Sequence, residues 1–258
     1  MKIKELWKLI DSICPPELAE EWDNSGPQIS FEEDELTKVL VALEVTFDVI
    51  KEAVSKNANC ILTHHPQFFD GNAWITPEYT IGKYTLELVK NRISVYSAHT
   101  SFDSLKGGNN DYFGKVLGIE SIAMPSDEGM YRLGDIKKMK VADLIHHICE
   151  MLSIDERFVH LVGDPNSEVS RIAWCTGAGF DMSYQAYNDG AECFITGDLK
   201  YHDARDAKER SMTIIDIGHF GSEKIFAENM ASLLRNAAPD IEIIESEMDE
   251  DPFVGGLI

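Results

Sequence analysis

The chain has 258 residues, 44% of them apolar, which suffices for one large domain or two small ones with a sizeable core. Its 45 acidic against 23 basic residues leave a formal charge of −22 and argue against nucleic acid or an anionic membrane as a partner, since both reward Lys and Arg. Five widely spaced cysteines without a C-x-x-C pair point to neither a disulfide framework nor a cysteine zinc site, and no apolar run approaches a membrane span or a signal-peptide core, so a reducing, cytoplasmic setting is expected.

Ile3, Leu6, Trp7, Ile10 and Ile13 recur at helical spacing, predicting a helix over 3–13 that Pro15-Pro16 ends. Asp23, Asn24, Ser25, Gly26 and Pro27 are turn formers, so Trp22 and Asp23 sit at the edge of a loop. Trp22 is read either as a core anchor or as pocket lining. Residues 39–44 are a buried strand, 46–56 a helix capped by Thr46, and 59–63 a second strand. A loop precedes a helix at 82–91. Residues 93–103 then read as a strand running into a polar loop, and 107–118 as a turn and short helix. Periodicity lapses around 124–129, where a boundary is placed. Beyond it, strands are predicted at 130–136, 158–164, 171–179, 191–198, 213–219 and 241–246, and helices at 140–153, 180–190, 201–210 and 222–236. The last eleven residues read as loop. Strands alternating with helices indicate an α/β fold.

The stretch 60–69 places His64 and His65 at the end of an apolar run, closed by Pro66. On a continuing strand, neighbouring side chains point to opposite faces, so the pair offers two imidazoles in divergent directions, one to each of two metal ions. The plainer reading is a pair of ordinary strand-end histidines. His146, His147 and His160 read as surface and packing residues.

The two halves of the chain resemble each other. At an offset of 133, six of the 23 positions from Val41 to Thr63 are identical: Phe47, Asp48, Ala53, Ala58, Cys60 and Thr63 recur as Phe180, Asp181, Ala186, Ala191, Cys193 and Thr196. At an offset of 120, His99 aligns with His219 and Asp103 with Glu223. Gly197 and Asp198 occupy the places of His64 and His65. These matches predict duplicated three-layer α/β/α units with mixed sheets. The first unit spans 1–125 and is completed by 211–258; the second spans 126–210. A metal site is expected in the cleft between them, near the strand ends. His64, His65, His99, Asp103, His219 and Glu223 are its candidate residues, each just past a predicted strand. A dinuclear centre needs imidazoles and at least one bridging carboxylate, for which Glu223 is suited.

Several motifs, in order, carry a resemblance: WDNSG at 22–26, LTHHPQFF at 62–69, AHTSFD at 98–103, GGNNDYFGKVLG at 107–118, GAG at 177–179, TGDLKYHDARDA at 196–207, GHFGSE at 218–223 and DPF at 251–253. With them the chain resembles, nearly end to end, the NIF-three-like family of dinuclear metal-centre proteins, often labelled type 2 GTP cyclohydrolase I homologues. The resemblance implies two divalent metal ions held by His64, His65, Asp103, His219 and Glu223, with Glu223 bridging, and a ring-shaped homohexamer. Pro27 departs from the apolar residue usual after the first motif, and removes no ligand. His99 is outside the family's ligand pattern, and a role as proton shuttle or ligand-orienting group suits it. Asp198, His202, Asp23 and Trp22 are further candidates to line the pocket. Histidine with carboxylate fits Zn, Fe, Mn or Co. The expected activity is hydrolysis of a small molecule, a purine nucleotide by the family's label, with His99 and Glu223 as catalytic residues. No phosphate-binding glycine loop is present, and Lys200, Arg205 and Lys224 are the few cations near the candidate residues. The alternative is a non-catalytic metal-binding or regulatory hexamer, such as a metal-insertion factor or adaptor.

Overall fold

The first helix, α1 (Ile3–Ile13), buries Ile3, Leu6, Trp7 and Ile10 on one stripe, as the helical spacing of its apolar residues requires. The computed structural model describes residues 1–69, 74–119, 121–125 and 129–253. Gly71 in the loop after Pro66, part of the lapse at 124–129 and the last five residues lie outside that set.

After α1 come β1 (Gly26–Ile29), β2 (Val39–Ala42), α2 (Phe47–Lys56), β3 (Cys60–Thr63), α3 (Thr80–Lys90), β4 (Ser94–Ser97), α4 (Thr100–Ser104), α5 (Asn109–Val116), β5 (Ile122–Ala123) and β6 (Arg132–Lys140). The chain continues with α6 (Val141–Leu152), β7 (His160–Val162), β8 (Glu168–Trp174), α7 (Ser183–Asn188), β9 (Cys193–Thr196) and α8 (Tyr201–Glu209). It closes with β10 (Ile214–Asp216), α9 (His219–Glu223), α10 (Phe226–Ala237) and β11 (Ile243–Glu245).

Two compact units result, Met1–Leu105 with Phe226–Asp249, and Lys106–Ile225 with Glu250–Ile258. These bounds differ from the expected joins near 125 and 210 for a packing reason. Phe113 and Leu117, in and just after α5, belong to the apolar cluster of Ile172, Trp174 and Ile195, and β10 pairs with β9. Both segments therefore sit with the second unit.

In the first unit the sheet order is β1-β4-β3-β2-β11. β11, β2, β3 and β4 are parallel, and every residue of β2, β3 and β4 is buried, as expected of parallel strands covered on both faces. Leu40, Ile61 and Val95 pack with Val49, Ile50 and Leu88 of α2 and α3 on one face, while α10 packs against β2 and β11. Thr46 caps α2 by accepting a hydrogen bond from the Val49 amide at 3.1 Å. The antiparallel β1 lies at the edge, beside β4, which is where a strand tolerates Pro27.

In the second unit the order is β5-β6-β8-β9-β10-β7, with β8, β9 and β10 parallel and the other pairings antiparallel. One face buries Trp174, Ile172, Ile195 and Ile215 with Leu144 and Ile148 of α6; the other buries Phe194 and Ile214 with Phe180 and Ala186. Each unit is therefore a three-layer α/β/α sandwich on a mixed sheet. The duplication is visible in the element bounds: β3 moved by 133 positions coincides with β9, and β4 moved by 120 starts where β10 starts.

Three elements differ from the sequence reading. The chain leaves β4 at Ser97 and turns into the short helix α4, so Asp103 is helical rather than in a loop. The long helix expected over 222–236 is broken at Lys224 and Ile225 into α9 and α10. Residues 26–29 pair as β1, although their Gly-Pro start reads as turn. Among the described residues no helix is long and apolar enough to cross a membrane.

Candidate metal centre

The first unit contributes its cluster from the ends of β3 and β4. The amides of His64 and His65 both donate to the Leu43 carbonyl, at 3.1 and 3.0 Å. The His65 carbonyl accepts from Thr63 Oγ1 at 2.8 Å and Ser97 Oγ at 3.1 Å. The pair's backbone is thus fixed from two neighbouring strands. Because β3 ends at Thr63, the two side chains do not diverge as they would on a continuing strand: their ring centroids lie 5.3 Å apart with planes tilted by 37°.

His64 is fully buried, and its ring packs on Phe226. Its Nδ1 lies 2.9 Å from the Ala98 carbonyl. A carbonyl only accepts, so Nδ1 carries the proton and Nε2 the lone pair. His64 Nε2 lies 3.6 Å from Oδ1 of Asp103, which is buried on α4.

His99 sits between β4 and α4, with Nδ1 2.8 Å from Asp23 Oδ1. Asp23 also accepts from the Thr100 amide, Thr100 Oγ1 and Ser25 Oγ, at 3.1, 2.6 and 2.7 Å. Burial pushes the Asp23 carboxyl up, but hydrogen bonds from His99, Thr100 and Ser25 outweigh it and hold the carboxyl well below the usual range. The acceptor is therefore ionised, and Nδ1 of His99 donates to it. Ligand nitrogens of His64, His65 and His99 lie within 4.8 Å of one another. The loop holding Asp23 thus joins the cluster through a buried carboxylate, which the turn formers around it only hinted at.

The second unit presents the corresponding feature after β10. His219 begins α9, and its Nδ1 is 2.8 Å from Asp198 Oδ2. Its Nε2 is 2.9 Å from Oε2 of Glu223, which is buried. Gly177 leaves room for that carboxylate: a Cβ there would overlap Glu223 Oε1, and its φ of +68° is one that side chains disfavour. Gly197 is forced as well, because a Cβ would come 2.8 Å from the backbone of Gly218 and His219. The second copy therefore cannot repeat His64 at that position, and the next residue, Asp198, adopts a left-handed φ of 54°.

His202 is exposed against Tyr201, Arg205 contacts Glu209, and Lys224 donates to the Ser153 carbonyl. His146 pairs with Glu156, His147 lies 3.0 Å from the Leu117 carbonyl, and His160 lies 3.4 Å from Asp216. These three have the structural contacts expected of them.

Each unit thus has a histidine just past its third parallel strand with Nδ1 on an aspartate and a buried carboxylate four residues on. An imidazole tied through one nitrogen to a carboxylate is oriented to present the other to a cation. Imidazole nitrogens with carboxylate oxygens fit a divalent transition ion.

A family model described as Duf34/NIF3 (NGG1p interacting factor 3) matches residues 1–252. A Clostridium perfringens protein described as a GTP cyclohydrolase 1 type 2 homolog is 36% identical, covering 98% of this chain and 99% of that protein. A Lactococcus lactis protein of the same description is 33% identical over 98% and 99%. Among solved structures, a Staphylococcus aureus hypothetical protein superposes with a TM-score of 0.93 at 30% identity, covering 98% and 99% of the two chains. Reduced HcgD from Methanocaldococcus jannaschii superposes with a TM-score of 0.80 at 28% identity, covering 96% and 98%.

Proposed function

Because the chain belongs to the Duf34/NIF3 family, we propose that it holds two divalent metal ions, Zn, Fe, Mn or Co in class, and uses them to hydrolyse a small molecule. In this reading His64, His65, Asp103, His219 and Glu223 would hold the ions, with Glu223 shared between the two. The observation that carries it is the repeated histidine geometry: His99 on Asp23 and His219 on Asp198, each at 2.8 Å and each four residues before a buried carboxylate.

When bound, such ions lower the pKa of a water and polarise a substrate oxygen or nitrogen. The chain's own residues supply the rest. The Ala98 carbonyl fixes the His64 tautomer, and Asp198 fixes that of His219. Asp23 holds the proton on His99 Nδ1, which leaves Nε2 to take a proton from water or return one to a leaving group. Glu223 is the second catalytic residue of this reading, acting through the ions it would hold. The relatives described as GTP cyclohydrolase 1 type 2 homologs favour a purine nucleotide as the substrate class. The proposal includes a homohexameric ring and a cytoplasmic setting, the latter supported by five buried cysteines, none of them in a disulfide.

The test is metal content of protein purified without chelators, with nucleotide hydrolysis assayed on the same sample. About two metals per chain, with metal lost in His64→Ala and turnover lost in Glu223→Ala, is the expected result. Retention of full metal by a chain carrying both His64→Ala and Glu223→Ala overturns the ligand set. Full metal without turnover across nucleotides moves the protein to the class of metal-binding or regulatory hexamers.

A further inference from the structure

Beside the histidine cluster of the first unit stand two exposed aromatic side chains. Trp22 is 57% and Phe69 56% exposed, although aromatic side chains carry the largest apolar area a core can bury. Their ring centroids lie 5.8 Å apart, and each lies 6.0 Å from the centroid of His99. The three rings form a nearly equilateral triangle, with the imidazole edge-on to both aromatic rings at 79° and 74°.

The two aromatics come from different loops, and those loops are fastened together. Asn24 Nδ2 donates to the Phe68 carbonyl at 2.7 Å and to Gln28 Oε1 at 3.3 Å. The Phe68 amide donates to Gln28 Oε1 at 3.2 Å, and Gln28 Nε2 donates to the Asn24 carbonyl at 2.7 Å. One step along the chain, Asp23 anchors the Trp22 loop to His99 and Thr100. Such a clasp fixes two flat apolar surfaces where water reaches them, at the rim of a cluster built to do chemistry. Water solvates such surfaces poorly, whereas a conjugated ring stacks on them with little regard to its substituents.

We propose that Trp22 and Phe69 are a stacking platform for a planar heteroaromatic ring, a nucleobase in class, which seats the rest of the substrate against the histidine cluster. This rests on the reading of the cluster as a hydrolytic metal centre. It adds which part of the substrate is held, by which residues, and through what force. The ring is gripped by its faces, so purines of different substitution are accepted alike, and His99 stands 6.0 Å from both rings of the platform.

The experiment is calorimetric titration of guanosine, adenosine and ribose into the full chain reconstituted with zinc, for wild type, Trp22→Ala, Phe69→Ala and Trp22→Phe. Zinc per chain, thermal melting and oligomeric state are read on the same samples. Both nucleosides bind the wild type and ribose does not. Either alanine variant weakens nucleoside binding by about tenfold or more, while Trp22→Phe stays within about threefold, because it keeps a flat face. Zinc content is unchanged in all three variants. Equal affinity in the alanine variants, or no nucleoside binding by zinc-loaded wild type, overturns the platform. An altered oligomeric state in Trp22→Ala with unaltered nucleoside binding assigns the aromatics to a subunit contact and also overturns it. Nucleoside binding by a chain that takes up no zinc supports the platform and overturns the metal reading; zinc uptake without nucleoside binding does the reverse.

Discussion

Asp23 Oδ1 lies 2.8 Å from His99 Nδ1, and the same carboxylate accepts three further hydrogen bonds from Thr100 and Ser25. One side chain, itself without exposed surface, holds the imidazole, the start of α4 and its own loop. That economy makes Asp23 sensitive to both mutation and pH.

Its folded pKa is depressed, so its contribution to stability is present above the ordinary aspartate value, about 3.9, and is lost as pH falls below it. Denaturant melts between pH 7 and pH 3 will show that loss in the wild type and a flatter profile in Asp23→Asn. Asp23→Ala will cost about 2–4 kcal/mol at pH 7, because it strands several donors at once. A pH profile unchanged in Asp23→Asn would show that the carboxylate is not ionised in the folded state.

Asp249 shifts the other way. Burial pushes its carboxyl up to about 6, Glu44 and Glu52 push in the same direction, and the Leu43 amide and His65 oppose them. A raised folded pKa gives stability that is full below the unfolded value, near 4, and lost as pH rises through about 6. Asp249→Asn removes that loss while keeping an acceptor for the Leu43 amide, 2.8 Å away in the native chain. The variant should gain about 1–3 kcal/mol on the wild type at pH 7.5 and nothing at pH 4, by chemical denaturation.

Gly177→Ala introduces a Cβ where Glu223 Oε1 lies and places a side chain at a φ of +68°. The backbone strain alone costs about 1–2 kcal/mol. The displaced carboxylate should cost metal as well, measured as a lower zinc stoichiometry after dialysis. A variant that melts lower yet keeps its zinc would separate Glu223 from the metal.

Asp198→Ala frees Nδ1 of His219 from its oriented hydrogen bond. Loss of such a partner weakens metal binding by about 10–100-fold. Competition with a chelating dye reads this directly, and the melting temperature of the metal-free protein should barely move, since Asp198 is exposed.

Much of this was legible in the residues. The boundaries of α1 and the cap of α2 follow from local spacing and one hydroxyl, and the duplication follows from identities at fixed offsets. What was not legible depends on neighbours. β1 begins Gly26-Pro27, which reads as turn until an antiparallel edge position beside β4 absorbs the missing amide. The His64–His65 pair was expected to splay, but β3 stops at Thr63 and the Leu43 carbonyl gathers both amides. Asp23 and Asp198 carried no motif that distinguishes a histidine-orienting carboxylate from a turn former; only the fold brings each to its histidine.

The two offsets of the repeat differ, 133 before the connection that follows β3 or β9 and 120 after it, a change of 133 − 120 = 13 residues. The first copy therefore carries a longer excursion between its second and third parallel strands, and Phe69 stands on it. The two copies thus differ in length outside their shared scaffold. If Phe69 forms half of the proposed stacking platform, the excursion can change in length and sequence while the strands that aim the histidines keep their spacing.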